Sequence, residues 1–179
     1  MMAAIHLGLF LMLLQNAPPP PPPDIALTVA CGSRPNEVAL TILNQSGSDT
    51  AVLLGYAFGN GAQYFPRELV VEIKRAAGAD FEPLLFAGPG GIAAGRMDHW
   101  ILTLPARAAF TLPLRATDFS ANTPGFNTLT APPAELRVKL TGRSITADLS
   151  LDMSGVQLWR LWQGTAVSNS LRLAAECGR

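Results

Sequence analysis

After the N-terminal segment, which carries His6, the chain has one histidine, His99, between Asp98 and Trp100. Catalysis centred on His99 would need a serine and a carboxylate brought in from elsewhere. No Gly-x-Ser-x-Gly elbow is present, and Asp98, its neighbour along an extended chain, faces the opposite way. A single histidine also cannot build a multi-histidine metal site. The spacing therefore places His99 at the start of a strand beside Trp100, hydrogen-bonded locally.

Asp148 and Asp152 flank Ser150 at strand spacing and share a face with it. Calcium takes six to eight oxygens, so this trio would need loop carbonyls to complete a site. At about 13 Å between α-carbons the pair is too far apart for paired-carboxylate catalysis. A solvated face opposite Leu149 and Leu151 accounts for them. The glycine-rich stretch Gly88-Pro89-Gly90-Gly91-Ile92-Ala93-Ala94-Gly95 lacks the Gly-Lys-Ser/Thr ending of a phosphate cradle, and Pro89 removes one of the amides such a cradle uses. A turn explains it better. Trp100, Trp159 and Trp162 could present faces to a pyranose ring, but Leu158 and Leu161 beside the last two favour core packing. The composition implies no cofactor and no metal.

Cys31 and Cys177 are the only cysteines. In an oxidising compartment such a pair reads as one disulfide joining first and last strands and stapling the termini. The alternative is lipidation of Cys31 in the lipobox-like Thr28-Val29-Ala30-Cys31, against which Thr28 and the distance from the apolar leader both count.

These groups must be positioned by a domain that folds after export. Leu7 to Leu14 forms an apolar run of signal-peptide length, too short to span a bilayer of about 30 Å. Met1 to Ala17 reads as a signal peptide, although its first residues carry no Lys or Arg. Residues 18–24 read as a spacer, because the prolines from Pro18 to Pro23 favour an extended polyproline II rod of roughly 19 Å. Residues 25–179 then form one domain, and no membrane span is expected after the leader. The chain carries 13 Lys and Arg against 13 Asp and Glu, so it offers no basic excess for phosphates, and nucleic acid is excluded as a partner.

Within the domain, period-two alternation recurs between Gly, Pro, Asn, Asp and Ser clusters. Val38, Leu40 and Ile42 precede a turn at Asn44 to Asp49. Leu69, Val71 and Ile73 follow, then Phe110, Leu112 and Leu114 around Pro113, which has to lie where no ladder hydrogen bond is needed, such as an edge. Leu136, Val138 and Leu140 alternate with Arg137 and Lys139, apolar in and charged out. Weaker strands are expected over 25–30, 51–56, 81–85, 100–104, 145–151 and 170–174. The segment from Val156 to Trp162 suits a short helix or a bulged strand. Two long connections, 86–98 and 117–134, are the places to seek a binding surface. Within the first, Gly88, Gly90, Gly91, Arg96 and Asp98 are the candidate binding-loop residues. The pattern predicts an all-β domain of antiparallel sheets packed face to face.

The run from Gly88 to Asp98, the segments Ile101-Leu102-Thr103-Leu104-Pro105 and Phe110-Thr111-Leu112-Pro113-Leu114, and the tail Trp162-x-Gly164-x-x-Val167-Ser168-Asn169-x-Leu171 together resemble uncharacterised exported bacterial proteins with an immunoglobulin-like domain. The tail is also similar to the terminal strand region of bacterial proteinase-inhibitor-like sandwiches. The resemblance spans roughly Gly88 to Leu173. It implies an immunoglobulin-like antiparallel β-sandwich and no catalytic residues. The expected function is that of an exported, periplasmic or extracellular, non-catalytic binding or adhesion module for a protein or glycan. The alternative is a proteinase-inhibitor-like domain whose loop 86–98 enters a protease cleft.

Overall fold

The computed structural model describes residues 24–34, 37–58, 63–76, 78–84, 97–115, 135–143, 161–173 and 177. The expected signal peptide, the proline run, the strand at 145–151, the connection 117–134, and Gly88, Gly90, Gly91 and Arg96 lie outside these residues. The described chain forms ten strands: β1 (Ile25–Cys31), β2 (Glu37–Asn44), β3 (Thr50–Phe58), β4 (Gln63–Phe65), β5 (Leu69–Lys74), β6 (Glu82–Leu84), β7 (Met97–Leu104), β8 (Ala109–Arg115), β9 (Glu135–Gly142) and β10 (Gly164–Val167). They make three sheets, in the orders β1-β2-β8, β10-β9-β5-β6 and β4-β3-β7. Every strand pairing is antiparallel. The all-β, sandwich-like architecture expected from the alternation is present.

The periodicity works because alternate side chains share a face. Leu40 and Ile42 of β2, Val71 and Ile73 of β5, and Val138 and Leu140 of β9 are all fully or almost fully buried. They join Ile25, Val52, Leu54, Leu104 and Leu114 in a single core drawn from all three sheets. The opposite face of β5 and β9 is charged. Glu72 accepts from Arg137 Nε at 2.6 Å, Lys74 pairs with Glu135 at 3.8 Å, and Arg137 lies over the Phe81 ring at 3.8 Å. Among the described residues Pro113 sits in a strand with one sheet neighbour, β8 against β2.

The turn expected at Asn44 is a corner between sheets. The β2–β8 ladder ends at Leu43 opposite Ala109, and the β3–β7 ladder starts at Thr50 opposite Leu104, so the same pair of chain segments passes from one sheet to the next. Asn44, fully buried, holds both crossings. Its backbone N–H donates to the Ala108 carbonyl at 2.9 Å, and its Nδ2 donates to the carbonyls of Ser48, Leu104 and Pro105 at 2.9, 3.1 and 3.0 Å. Its Oδ1 accepts from Ser46 N–H and Ser46 Oγ. Asn44→Ala strands these carbonyls and opens a void. We expect a loss of about 3 kcal/mol, read as a lower urea midpoint at unchanged slope.

One segment differs from the sequence expectation, and a second, from Val156 to Trp162, is described only at its last two residues. Residues 170–173 do not form a strand, and position 174 lies outside the described residues. Leu171 instead makes a single bridge with Leu136, each donating its N–H to the other's carbonyl at 2.9 and 2.8 Å, because the preceding Ser168-Asn169 pair has already used the adjoining edges. Ser168 donates its N–H to the Val138 carbonyl and accepts the Val138 N–H on its hydroxyl, while the Asn169 side-chain amide exchanges two hydrogen bonds with the backbone of Val29 at 2.8 and 3.0 Å. These two residues tie β9 to β1. At Leu161 and Trp162 the chain is extended rather than helical: Leu161 bridges Ala51 in parallel and Trp162 N–H donates to the Ala51 carbonyl at 2.7 Å.

Candidate binding site

The sheet β4-β3-β7 brings together Tyr56, Tyr64, His99 and Trp100. Its shape begins with a register shift in β3 between Leu53 and Gly55. Past this bulge Gly55 pairs with Trp100, Tyr56 with His99 and Ala57 with Asp98, while on the other side Tyr56 pairs with Phe65 and Ala57 with Tyr64. Gly55 has φ 151°, and a Cβ there would fall on the Phe65 carbonyl oxygen and 2.5 Å from the Arg67 nitrogen. Only glycine lets β4 lie this close to β3.

The pairing assigns the side chains to two faces. Asp98 and Trp100 project to one side, with Ala57 and Tyr64 in the row of Asp98. Tyr56, His99 and Phe65 project to the other. Tyr64 packs onto Trp100, with ring centroids 4.7 Å apart and planes inclined by 51°. Trp100 backs onto the core, whereas Tyr64 is 50 % exposed. On the opposite face the Tyr56 and His99 rings lie 5.5 Å apart, and Arg67 sits 5.9 Å from the Tyr56 centroid.

Asp98, expected in a loop, belongs to β7, because the ladder with β3 continues through Asp98 opposite Ala57 and Met97 opposite Phe58. The residue thereby shares a face with Trp100 and stands two strands from Tyr64. The expected local hydrogen bond of His99 is not made at Nε2, which is buried without a partner. Its ring faces Tyr56 instead, since cross-strand pairing puts an aromatic ring where a local acceptor would have to be. Of the tryptophans considered as a platform, Trp162 is 8 % exposed and its indole covers the facing glycines of β9 and β10, 2.5 Å from where a Gly142 Cβ would lie and 3.0 Å from that of Gly164. That is core packing, as expected. Trp159, Asp148, Ser150 and Asp152 lie outside the described residues.

Cys31 and Cys177 form the expected disulfide, with α-carbons 5.5 Å apart. The bond joins the end of the first strand to a residue beyond β10 rather than to a last strand, and Cys177 N–H donates to the Leu173 carbonyl at 2.9 Å. Among the described residues no three His, Cys, Asp or Glu side chains gather as a metal site, and no helix is long and apolar enough to cross a membrane.

The sequence reading missed Tyr56, Tyr64 and Arg67. A three-residue strand such as β4 is too short to show alternation, and the available signal was the aromatic pair Tyr64-Phe65 bracketed by Gly61 and Pro66. No known protein family, curated protein or solved structure matches the chain.

Proposed function

We propose that the chain is an exported, non-catalytic binding or adhesion module on an immunoglobulin-like β-sandwich, and that it engages its ligand at the β4 edge of the β4-β3-β7 sheet. The observation that carries this reading is Tyr64. A large aromatic held half-exposed against Trp100 on an edge strand is a rigid, amphipathic contact group of the kind enriched at interfaces. The disulfide favours an oxidising compartment. The sheets β1-β2-β8 and β10-β9-β5-β6 enclosing one core favour the immunoglobulin-like assignment. At His99 the neighbouring ring is Tyr56 and Nε2 has no partner, an arrangement unlike a base poised on a nucleophile.

A photo-crosslinking residue at position 64, in the full chain exported from a bacterial host, tests the reading. Saturable adducts with envelope proteins or glycans are expected from position 64 and not from exposed Thr111 on β8. Equal labelling from both positions would sink it. The second reading, a proteinase-inhibitor-like loop over 86–96, draws support from the anchoring of its two ends, at Leu84 opposite Val71 and at Met97 opposite Phe58. It predicts stoichiometric loss of activity in a panel of serine and cysteine proteases, and turnover of the chain without inhibition would remove it.

A further inference from the structure

We infer that the outer edge of β8 is where a second copy of this chain would pair, and that Pro113 is the residue that prevents it. The direction of the β8 backbone follows from hydrogen bonds within the same sheet, because alternate residues of a strand offer their N–H and C=O to opposite neighbours. Along β2 the odd-numbered residues turn to β1. The Glu37 carbonyl accepts the Gly32 N–H at 2.8 Å, and Gln45, just past the strand, donates to the Asp24 carbonyl at 2.7 Å. The even-numbered residues turn to β8, as Asn44 N–H does to the Ala108 carbonyl at 2.9 Å. Ala39 therefore bonds to β1, and Pro113, which stands opposite Ala39, points its nitrogen away from β2. Ala109, Thr111 and Arg115 share that outward direction. Val29 checks the alternation from the far side of the sheet: it stands opposite Leu40, and its N–H and C=O leave β2 for the Asn169 amide.

Among the described residues no strand pairs with this edge. In the rows Leu27–Ile42–Phe110 and Val29–Leu40–Leu112 the residues of β1 and β2 are buried, whereas Phe110 and Leu112 on β8 are only half-buried, so the sheet thins toward an open flank. The other described edges carry their own protection. β4 and β6 have three residues and β10 has four, β1 has Val29 capped by Asn169, and β7 carries Asp98. β8 runs for seven residues in unbroken register with no charged side chain before Arg115, and a regular, uncharged edge of that length is a template for another strand. Antiparallel pairing of β8 with its own copy about Leu112 would set Thr111 of each chain against Pro113 of the other. Each Thr111 carbonyl would then face a proline ring in place of an N–H, which removes the two central donors and fills the space that the opposing carbonyl needs. Only the Ala109–Arg115 rungs at the two ends would remain.

The test uses the full chain, exported and disulfide-bonded. In sedimentation velocity the wild type should stay monomeric from about 10 to 500 μM, whereas Pro113→Thr and Pro113→Ala, which restore the N–H, should rise toward twice the monomer mass over that range. Adding Thr111→Pro to Pro113→Thr again removes a donor from the same side of the strand and should return the monomer. Amide exchange reads the edge with no substitution at all. In the wild type Phe110, Leu112 and Leu114, bonded to β2, should exchange at least about 100-fold more slowly than Thr111, and Thr111 should gain protection only in the associated Pro113→Thr variant. A Pro113→Thr chain that keeps a dispersed amide spectrum and stays monomeric would overturn the inference. Slow exchange at Thr111 in the wild-type monomer would overturn it too, since the edge would then already be covered. So would a wild type that dimerises with Pro113 in place.

Discussion

Gly55→Ala is expected to destabilise the domain by more than about 4 kcal/mol, the largest effect of any single methyl added among the described residues. The added Cβ would overlap the Phe65 carbonyl oxygen, which cannot simply retreat. That oxygen accepts the Arg67 N–H at 2.8 Å, and Phe65 is in register with Tyr56. Relief would require β4 to leave β3 and the Glu68 N–H to give up the Leu54 carbonyl at 3.0 Å, which detaches the strand entering the core at Leu69. Urea denaturation of Gly55→Ala beside Gly47→Ala measures this directly, because nothing lies within 4 Å of a Cβ at Gly47 and that variant should stay within about 0.5 kcal/mol of the parent. Similar midpoints for the two variants would show that β4 does not hold the close approach described above. If Gly55→Ala folds at low temperature, it should also lose binding at the Tyr64 edge, since the same contact places Tyr64 against Trp100.

The paired substitution Cys31→Ser/Cys177→Ser is expected to cost about 2–5 kcal/mol. The upper end is the chain-entropy value for a loop closed over 146 residues, and the lower end reflects structure retained in the unfolded chain. The bond is not the sole anchor of β1. That strand is in register with β2 from Ile25 to Cys31, and the Asn169 amide bonds to Val29 from the other side. The folded state should therefore survive without the bond, and the loss should appear as a lower thermal midpoint with the far-ultraviolet spectrum retained at 20 °C. Wild-type protein kept in dithiothreitol should melt at the same midpoint as the double variant. An unchanged midpoint on reduction would mean that the linkage leaves the unfolded ensemble unconstrained.

How much of this could be read in advance depended on length and on exposure. Strands of six to eight residues, such as β2, β5 and β9, declare themselves because buried Leu40, Val71 and Val138 alternate with less buried neighbours along a one-sided sheet. β3 was weaker as a signal because Ala51, Val52, Leu53 and Leu54 are buried in succession, which erases period two. β4 and β10, of three and four residues, carry too few positions for a period at all. The candidate site shares that obscurity: Tyr64 and Asp98 are 34 positions apart, and only their common pairing with Ala57 makes them neighbours.

Composition and local pattern by themselves determined an all-β chain with antiparallel strands, an edge position for Pro113, a charged outer face on β9 and a disulfide between the only two cysteines. Each follows from a constraint acting within a few residues or from elimination among very few candidates. Tertiary structure decided the rest. It chose which strands pair, turned the Asn44 turn into a corner between sheets, moved Asp98 from a loop into β7, and used Ser168 and Asn169 as a clamp rather than as part of a strand. These are contests between backbone partners far apart in sequence, settled by which arrangement satisfies the buried N–H and C=O groups, and no local window holds both competitors.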